Sequence, residues 1–211
     1  MLLNLTVVVI GYLLGSIPVA YLVAKRRKGV DIREVGVGNM GAANTFREIG
    51  PREGAIVWAV DVAKGAVAIL IAQALNIPHL WVLGTGFAAL LGHIFPAYIG
   101  FKGGKGAATT MGIFLVLAPE AMAITFVLLA IPFYFTRRIF IAICAVAPIL
   151  PLLIWQFEAS TILASYSLAL LIFMGLRNLP GSTELRAALA RVRDRNTTDG
   201  YDEDNQPPPL D

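Results

Sequence analysis

The sequence predicts an all-α, polytopic membrane protein of about seven transmembrane helices, one of them short and broken, with its N-terminus outside and its C-terminus cytoplasmic. Three observations carry that prediction. Of the 211 residues, 57% are hydrophobic and only 15% charged, for a mean hydropathy of +0.71, which excludes an ordinary soluble domain. The apolar residues fall in runs near the roughly 20 needed to cross about 30 Å of hydrocarbon. The basic residues gather at alternate ends of those runs, as the positive-inside rule requires of cytoplasmic loops.

The runs cover 3–24, 54–75, 80–99, 107–118, 120–135, 139–156 and 160–176. The fourth, about 12 residues at 1.5 Å each, reaches roughly 18 Å and does not cross alone. It reads as a half-helix that starts inside the protein body. Non-helical backbone at that depth survives only where protein or a water-filled cavity satisfies it, so the loop before this half-helix is a predicted binding cavity.

All of the 17 Lys and Arg except Lys64 lie in four places: Lys25 to Arg52, Lys102 and Lys105, Arg137 and Arg138, and Arg177 to Arg195. Seven passes alternate these places with uncharged or acidic connections, which puts every glycine-rich and basic loop on one face. The first run is followed by Lys25-Arg26-Arg27-Lys28 without a small-residue cleavage site, so it is expected to be a retained anchor. Within it Pro18 removes a backbone donor and kinks the span. Ser16 either satisfies a carbonyl freed there or lines a mouth opened by the kink. Cys144 sits in an apolar run and reads as a small core residue, with no disulfide framework. The expected domain plan is an integral membrane domain over 1–180, a basic interfacial helix over 181–195 and an acidic, disordered tail over 196–211. The tail holds five acids and no base; without them the formal net charge of +3 becomes +8, a basic remainder matched to anionic lipids or phosphorylated substrates.

Two loops carry the chemistry. Gly92-His93-Ile94-Phe95-Pro96 runs through Gly100-Phe101-Lys102-Gly103-Gly104-Lys105-Gly106 into Ala107-Ala108-Thr109-Thr110. Glycines admit close approach of a ligand, and the unpaired N–H groups and dipole of a helix start favour an anion. The spacing is not that of the Walker loop, and Lys102 and Lys105 also read as membrane-surface anchors. The earlier loop holds Gly36, Gly38, Asn39, Gly41, Asn44 and Arg47, glycines alternating with amides and closed by a permanent cation. It suits an oxyanion, with Arg47 bidentate to phosphate, or equally a surface turn with left-handed asparagines. Asp61 and Lys64 lie three residues apart on one helical face and are expected to form an intrahelical ion pair. His93 is open as acid, base, phosphate donor or a satisfied interhelical donor.

Gly15-Ser16-Ile17-Pro18, the Gly-x-Gly-Asn-x-Gly-Ala-x-Asn-x-x-Arg run ending at Arg47, Asp61-x-x-Lys64-Gly65, and Gly92-His93-x-x-Pro96 through Phe101-Lys102-Gly103-Gly104-Lys105-Gly106 resemble the bacterial membrane glycerol-3-phosphate acyltransferases that use acyl phosphate. The resemblance covers roughly residues 10–180. It implies a seven-helix enzyme of the bacterial inner membrane, working at the cytoplasmic side. Such an enzyme transfers a fatty acyl group from acyl phosphate to the 1-hydroxyl of glycerol 3-phosphate, giving lysophosphatidic acid and phosphate. By this resemblance Asn39, Arg47, His93 and Lys105 are candidate catalytic residues. Ser16, Gly36, Gly38, Gly41, Asn44, Lys102, Gly103, Gly104, Gly106, Thr109 and Asn178 are candidate substrate-binding residues. No metal, cofactor or nucleic acid is implied; the implied partners are the two substrates, membrane lipids and the enzyme that supplies acyl phosphate. The chain departs from the family pattern at Val37, usually Ser, at Ala43, usually Thr, and at Met174-Gly175-Leu176-Arg177-Asn178, where Arg-His-x-x-Asn keeps only its Asn. A transporter for a phosphorylated solute and a catalytically weak lipid-binding paralogue are the rival readings.

Overall fold

The computed structural model describes residues 1–137 and 139–178, and among these every regular element is helical. Arg138, residues 179–180, the expected interfacial helix and the acidic tail lie outside the described residues. Met1–Met174 form one compact unit, and a second begins at Gly175.

The first apolar run is two helices. α1 (Leu2–Gly15) stops at Ser16, and α2 (Val19–Lys28) restarts after Pro18, which has no N–H to continue the ladder. Ser16 is fully buried and its Oγ donates to the Tyr12 carbonyl at 2.8 Å, which also accepts the Ser16 N–H; the Leu14 carbonyl that Pro18 leaves takes the Ile17 N–H at 3.3 Å instead. α2 ends in Lys25, Arg26, Arg27 and Lys28 with Gly29 left-handed beyond them, cations completing a helix C-terminus.

A short helix, α3 (Ala42–Glu48), leads through Gly50 into α4 (Pro51–Ala74), with Pro at its first position. α5 (His79–Ile94) follows, then a single 3₁₀ turn over Ala97–Ile99, then α6 (Ala107–Leu117). α7 (Pro119–Thr136), α8 (Ile139–Val146), α9 (Leu150–Glu158) and α10 (Thr161–Arg177) complete the described chain. Among the described residues five segments are long and apolar enough to cross a membrane: Leu2–Lys28, Pro51–Ala74, His79–Ile99, Pro119–Thr136 and Ile141–Glu158. Ala107–Leu117 and Thr161–Arg177 are shorter apolar helices. The short half-helix stands where the sequence placed it.

α1 packs along α5, and α4 along both α3 and α6. The α1–α5 crossing is a backbone contact: a Cβ on Gly15 would strike the Ala89 carbonyl, and one on Gly92 the Tyr12 carbonyl. Membrane helices associate through such small residues because burying apolar surface gains little within lipid. Between the helices lies a core of Ile69, Leu90, Ile94, Ile113 and Phe114, each 0% exposed. The outer faces are apolar as well, with Leu80, Val127 and Leu152 exposed, the reverse of a water-soluble surface. Phe133, Tyr134, Phe135 and Trp155 are exposed near helix ends, where aromatic rings meet headgroups. Cys144 is exposed rather than in the core: the helix carrying it is apolar all round, so apolar neighbours in sequence do not say which face is inward.

Candidate active site

Two loops meet at the end of the α1–α2 and α4–α5 helices. The first, between α2 and α3, is pinned by Ile32 (0% exposed) and Met40 against Ala24 and Val57. Gly36 and Gly38 are left-handed, and Asn44, 1% exposed, fills the hollow they make. Its Nδ2 donates to the Ile32 and Val35 carbonyls at 3.3 and 3.0 Å, and its Oδ1 accepts from the Val37 N–H at 3.2 Å. Asn44 therefore shapes the loop with every polar atom it has.

The second loop folds back on the last turn of α5. The Gly103 N–H donates to the Ile94 carbonyl at 3.0 Å and the Gly104 N–H to the His93 carbonyl at 3.1 Å. Tyr12 Oη holds the Phe95 carbonyl at 2.8 Å. Gly38 and Gly41 likewise donate to backbone carbonyls, of Val35 and Asn39. Four of the glycine N–H groups expected to cradle phosphate are thus used to hold the loops. What remains for an anion is side-chain cations and the start of α6, where Gly106 provides no side-chain cap.

One residue ties the two loops. Arg33 donates through Nε (3.0 and 3.1 Å) and Nη2 (2.6 Å) to the Asp31 carboxylate and through Nη1 to the Ile99 carbonyl at 2.9 Å. Its guanidinium lies 5.6 Å from the centre of the Tyr21 ring. The hydrogen bond from Arg33 holds the Asp31 carboxyl below the usual carboxylate range, and the same contact raises Arg33. The second N–H of each terminal nitrogen is left for a ligand. Arg33 lines a cavity of about 390 Å³ with Asp31, Glu34, Gly38, Lys102 and Gly103, within the roughly 300–1,000 Å³ of small-molecule sites.

Below the loops is a buried charge cluster. Lys64 Nζ and Asp61 Oδ1 are 2.8 Å apart, the ion pair expected from their spacing, and Lys64 also donates to the Ile17 carbonyl at 3.2 Å, beside the Pro18 break. His93 Nδ1 lies 3.6 Å from the same Asp61 oxygen.

The model for the glycerol-3-phosphate acyltransferase family matches residues 5–181. The chain belongs to that family. It is 44% identical over 174 residues to glycerol-3-phosphate acyltransferase 1 of Dehalococcoides mccartyi, covering 80% of this chain and 84% of that protein. It is 38% identical over 185 residues to the glycerol-3-phosphate acyltransferase of Geotalea daltonii, covering 84% and 95%. The crystal structure of PlsY (YgiH), an integral membrane glycerol 3-phosphate acyltransferase, superposes in its glycerol 3-phosphate form with a TM-score of 0.75. That match has 31% identity and covers 90% of this chain and 92% of PlsY. The lysophosphatidic acid form gives 0.77 at 30% identity, covering 88% and 92%.

In this family member the candidate residues do not gather in one place. Gly38, Lys102 and Gly103 line the cavity. Gly104, His93, Ser16, Asn44 and Thr109 lie beneath or behind it, all buried, and the Thr109 hydroxyl is 0% exposed without a hydrogen-bond partner among the described residues. Gly36, Arg47 and Lys105 are exposed while Asn39 and Gly41 are half-buried, and Arg47 Nε donates to the Ala43 carbonyl of its own helix at 3.1 Å. None of these five lines the cavity. Gly106, buried, starts α6. Asn178 belongs to the second unit, where its N–H donates to the Gly175 carbonyl at 3.2 Å. Asp31, Arg33 and Glu34, also on the cavity wall, are not among the candidates that the motifs provide. Asp31 and Arg33 stand two apart, and the Asp31 carboxylate also accepts the Arg33 N–H at 3.0 Å, an Asx turn. Among the described residues no group of three or more His, Cys, Asp or Glu is placed to hold a metal.

Proposed function

We propose that this protein transfers a fatty acyl group from acyl phosphate to the 1-hydroxyl of glycerol 3-phosphate at the cytoplasmic side of the bacterial inner membrane. The observation that carries the reading is the cavity where the two loops meet, with Arg33 and Lys102 on its wall, in a chain that superposes on PlsY in its glycerol 3-phosphate and lysophosphatidic acid forms. The basic ends of the helices support the cytoplasmic placement. Both substrates carry phosphate, and Lys102, Arg33 and the start of α6 supply donors; Arg47 and Lys105 are the exposed cations that close the two motifs. Asn39 stands at the same edge, with its amide beside Gly41.

One substrate also carries an alkyl chain. A small apolar cavity of about 50 Å³ begins at Ala107, one residue past the lysine loop, and is lined by Thr110, Met111, Met122, Leu129 and Leu171 among others. It is too small for a whole fatty chain, which would continue along the helices into lipid. Acyl phosphate is an activated mixed anhydride. The glycerol oxygen attacks its carbonyl carbon, the bond from that carbon to the phosphate oxygen breaks, and the phosphate leaves carrying the hydroxyl proton, as hydrogen phosphate. The protein has to align the two molecules and stabilise the charge that develops; no covalent acyl-enzyme is required.

The test is purified protein with labelled glycerol 3-phosphate and palmitoyl phosphate, acyl-CoA or acyl carrier protein as donor. Lysophosphatidic acid formed from palmitoyl phosphate alone supports the reading. None above a heat-killed control refutes it, and product from the thioesters at equal rate refutes the donor assignment.

A further inference from the structure

We infer that Asp61 is a positioning residue: its carboxylate orients the His93 imidazole beneath Gly104 and thereby sets the lysine loop against the first loop. Burial of the Asp61 and Lys64 side chains, 3% and 5% exposed, is costly even for a pair, and neutralising each other is only part of what they do. Lys64 reaches to the Ile17 carbonyl at the break between α1 and α2. Asp61 faces His93 at the end of α5.

His93 is itself 6% exposed, and its Nδ1 is buried with no hydrogen-bond partner among the described residues. The group facing that nitrogen is the Asp61 carboxylate, 3.6 Å away, so a small rotation closes a hydrogen bond in which Nδ1–H donates. With Nδ1 turned to Asp61, Nε2 points at the lysine loop: a Cβ on Gly104 would collide with Nε2 and with the Met40 carbonyl of the first loop. His93 grips the same glycine a second time, its main-chain carbonyl accepting the Gly104 N–H. Asp61 thus faces His93, His93 holds Gly104, and Gly104 packs so closely beside the Met40 carbonyl that no side chain fits between them, so the carboxylate bears on both loops through the imidazole. Turning the ring moves Gly104, and a displacement of about 1 Å in positioned groups can cost a hundredfold in rate.

The chain has two histidines, His79 and His93, so protein labelled with ¹⁵N in its imidazoles and held in lipid nanodiscs gives a spectrum that His79→Gln assigns. Near neutral pH the wild-type His93 ring is expected to show one fixed state with Nδ1 protonated. Asp61→Asn combined with Lys64→Met removes both charges of the pair, so neither is stranded. It should shift the His93 nitrogens and lower kcat about tenfold to a hundredfold, with the KM for glycerol 3-phosphate within about threefold. The inference is overturned by a wild-type ring without a proton on Nδ1, or by a folded double variant with an unchanged His93 spectrum or with kcat within twofold of wild type. If the double variant does not fold, the wild-type spectrum decides alone. The kinetic arm rests on the acyl-phosphate reading and the spectra do not, so an inactive wild type with a fixed His93 ring counts against that reading and not against this one.

Discussion

Replacing Arg33 by methionine removes the one side chain that both lines the cavity and bridges the two loops, while methionine still fills most of its volume. Two losses are separable. The hydrogen bond from Nη1 to the Ile99 carbonyl, 2.9 Å long, is charge-assisted, and such bonds contribute roughly 1.5–3 kcal/mol. The two remaining N–H groups would contact substrate phosphate, a contact of the same order. Losing either predicts about a tenfold to hundredfold fall in kcat/KM, at 1.4 kcal/mol per factor of ten. Arg33→Lys separates them: a single ammonium keeps a cation at the cavity but cannot hold Asp31 and Ile99 together as a planar fork does. Its loss should fall between wild type and Arg33→Met, appearing mostly in the KM for glycerol 3-phosphate. Initial rates over a range of glycerol 3-phosphate at saturating palmitoyl phosphate measure both. Acidity provides a second check. Because Arg33 lowers the folded pKa of Asp31, the stability this pair contributes is fully present above the ordinary carboxylate value of about 3.9 and is lost as pH falls through the lower folded value. The bridge should therefore stay intact from neutral pH down to about pH 4. Wild-type kinetics in Arg33→Met at normal expression would refute the reasoning.

Three further outcomes follow from the same geometry. Gly104→Ala forces a methyl into His93 Nε2 and the Met40 carbonyl, and because one of these is backbone the loop itself must move; activity should drop at least about tenfold, and retention of half the wild-type rate would show that the loop tolerates the shift. Arg47→Ala and Lys105→Ala should each lower activity about tenfold or more if they hold phosphate, with thermal stability close to wild type since both side chains are exposed; unchanged rates remove them from the site. Val37 is 68% exposed in a loop kept in shape by its own N–H to Asn44, so Val37→Ser should change stability by no more than about 0.5 kcal/mol. If the added hydroxyl reaches phosphate, the rate with acyl phosphate rises about twofold to tenfold, whereas a slower enzyme means this position faces the acyl chain.

The helices were legible because lipid imposes length and composition together: a run of about 20 apolar residues has few alternatives, and even the short fourth run and the break at Pro18 follow from counting. The ion pair was legible because three residues of spacing fixes one helical face, as Asp61 and Lys64 show. The site was legible only in part, since glycine marks where a backbone comes close without saying to what. In both loops the close partner is largely the protein itself: Gly103 and Gly104 bond the end of α5, and Gly38 and Gly41 bond their own loop. The same holds for Asn44, whose amide has the chemistry to bind a ligand but whose neighbours, Ile32, Val35 and Val37, take all of it. Arg33 was hidden for the opposite reason, being one of seven basic residues between Lys25 and Arg52 with no glycine beside it. What distinguishes it is a tertiary contact with Ile99, 66 residues away. The loops thus divide their labour in a way that spacing does not reveal. Glycines and asparagine set the shape, the buried Asp61 and His93 lie beneath it, and Arg33 and Lys102 stand on the cavity wall.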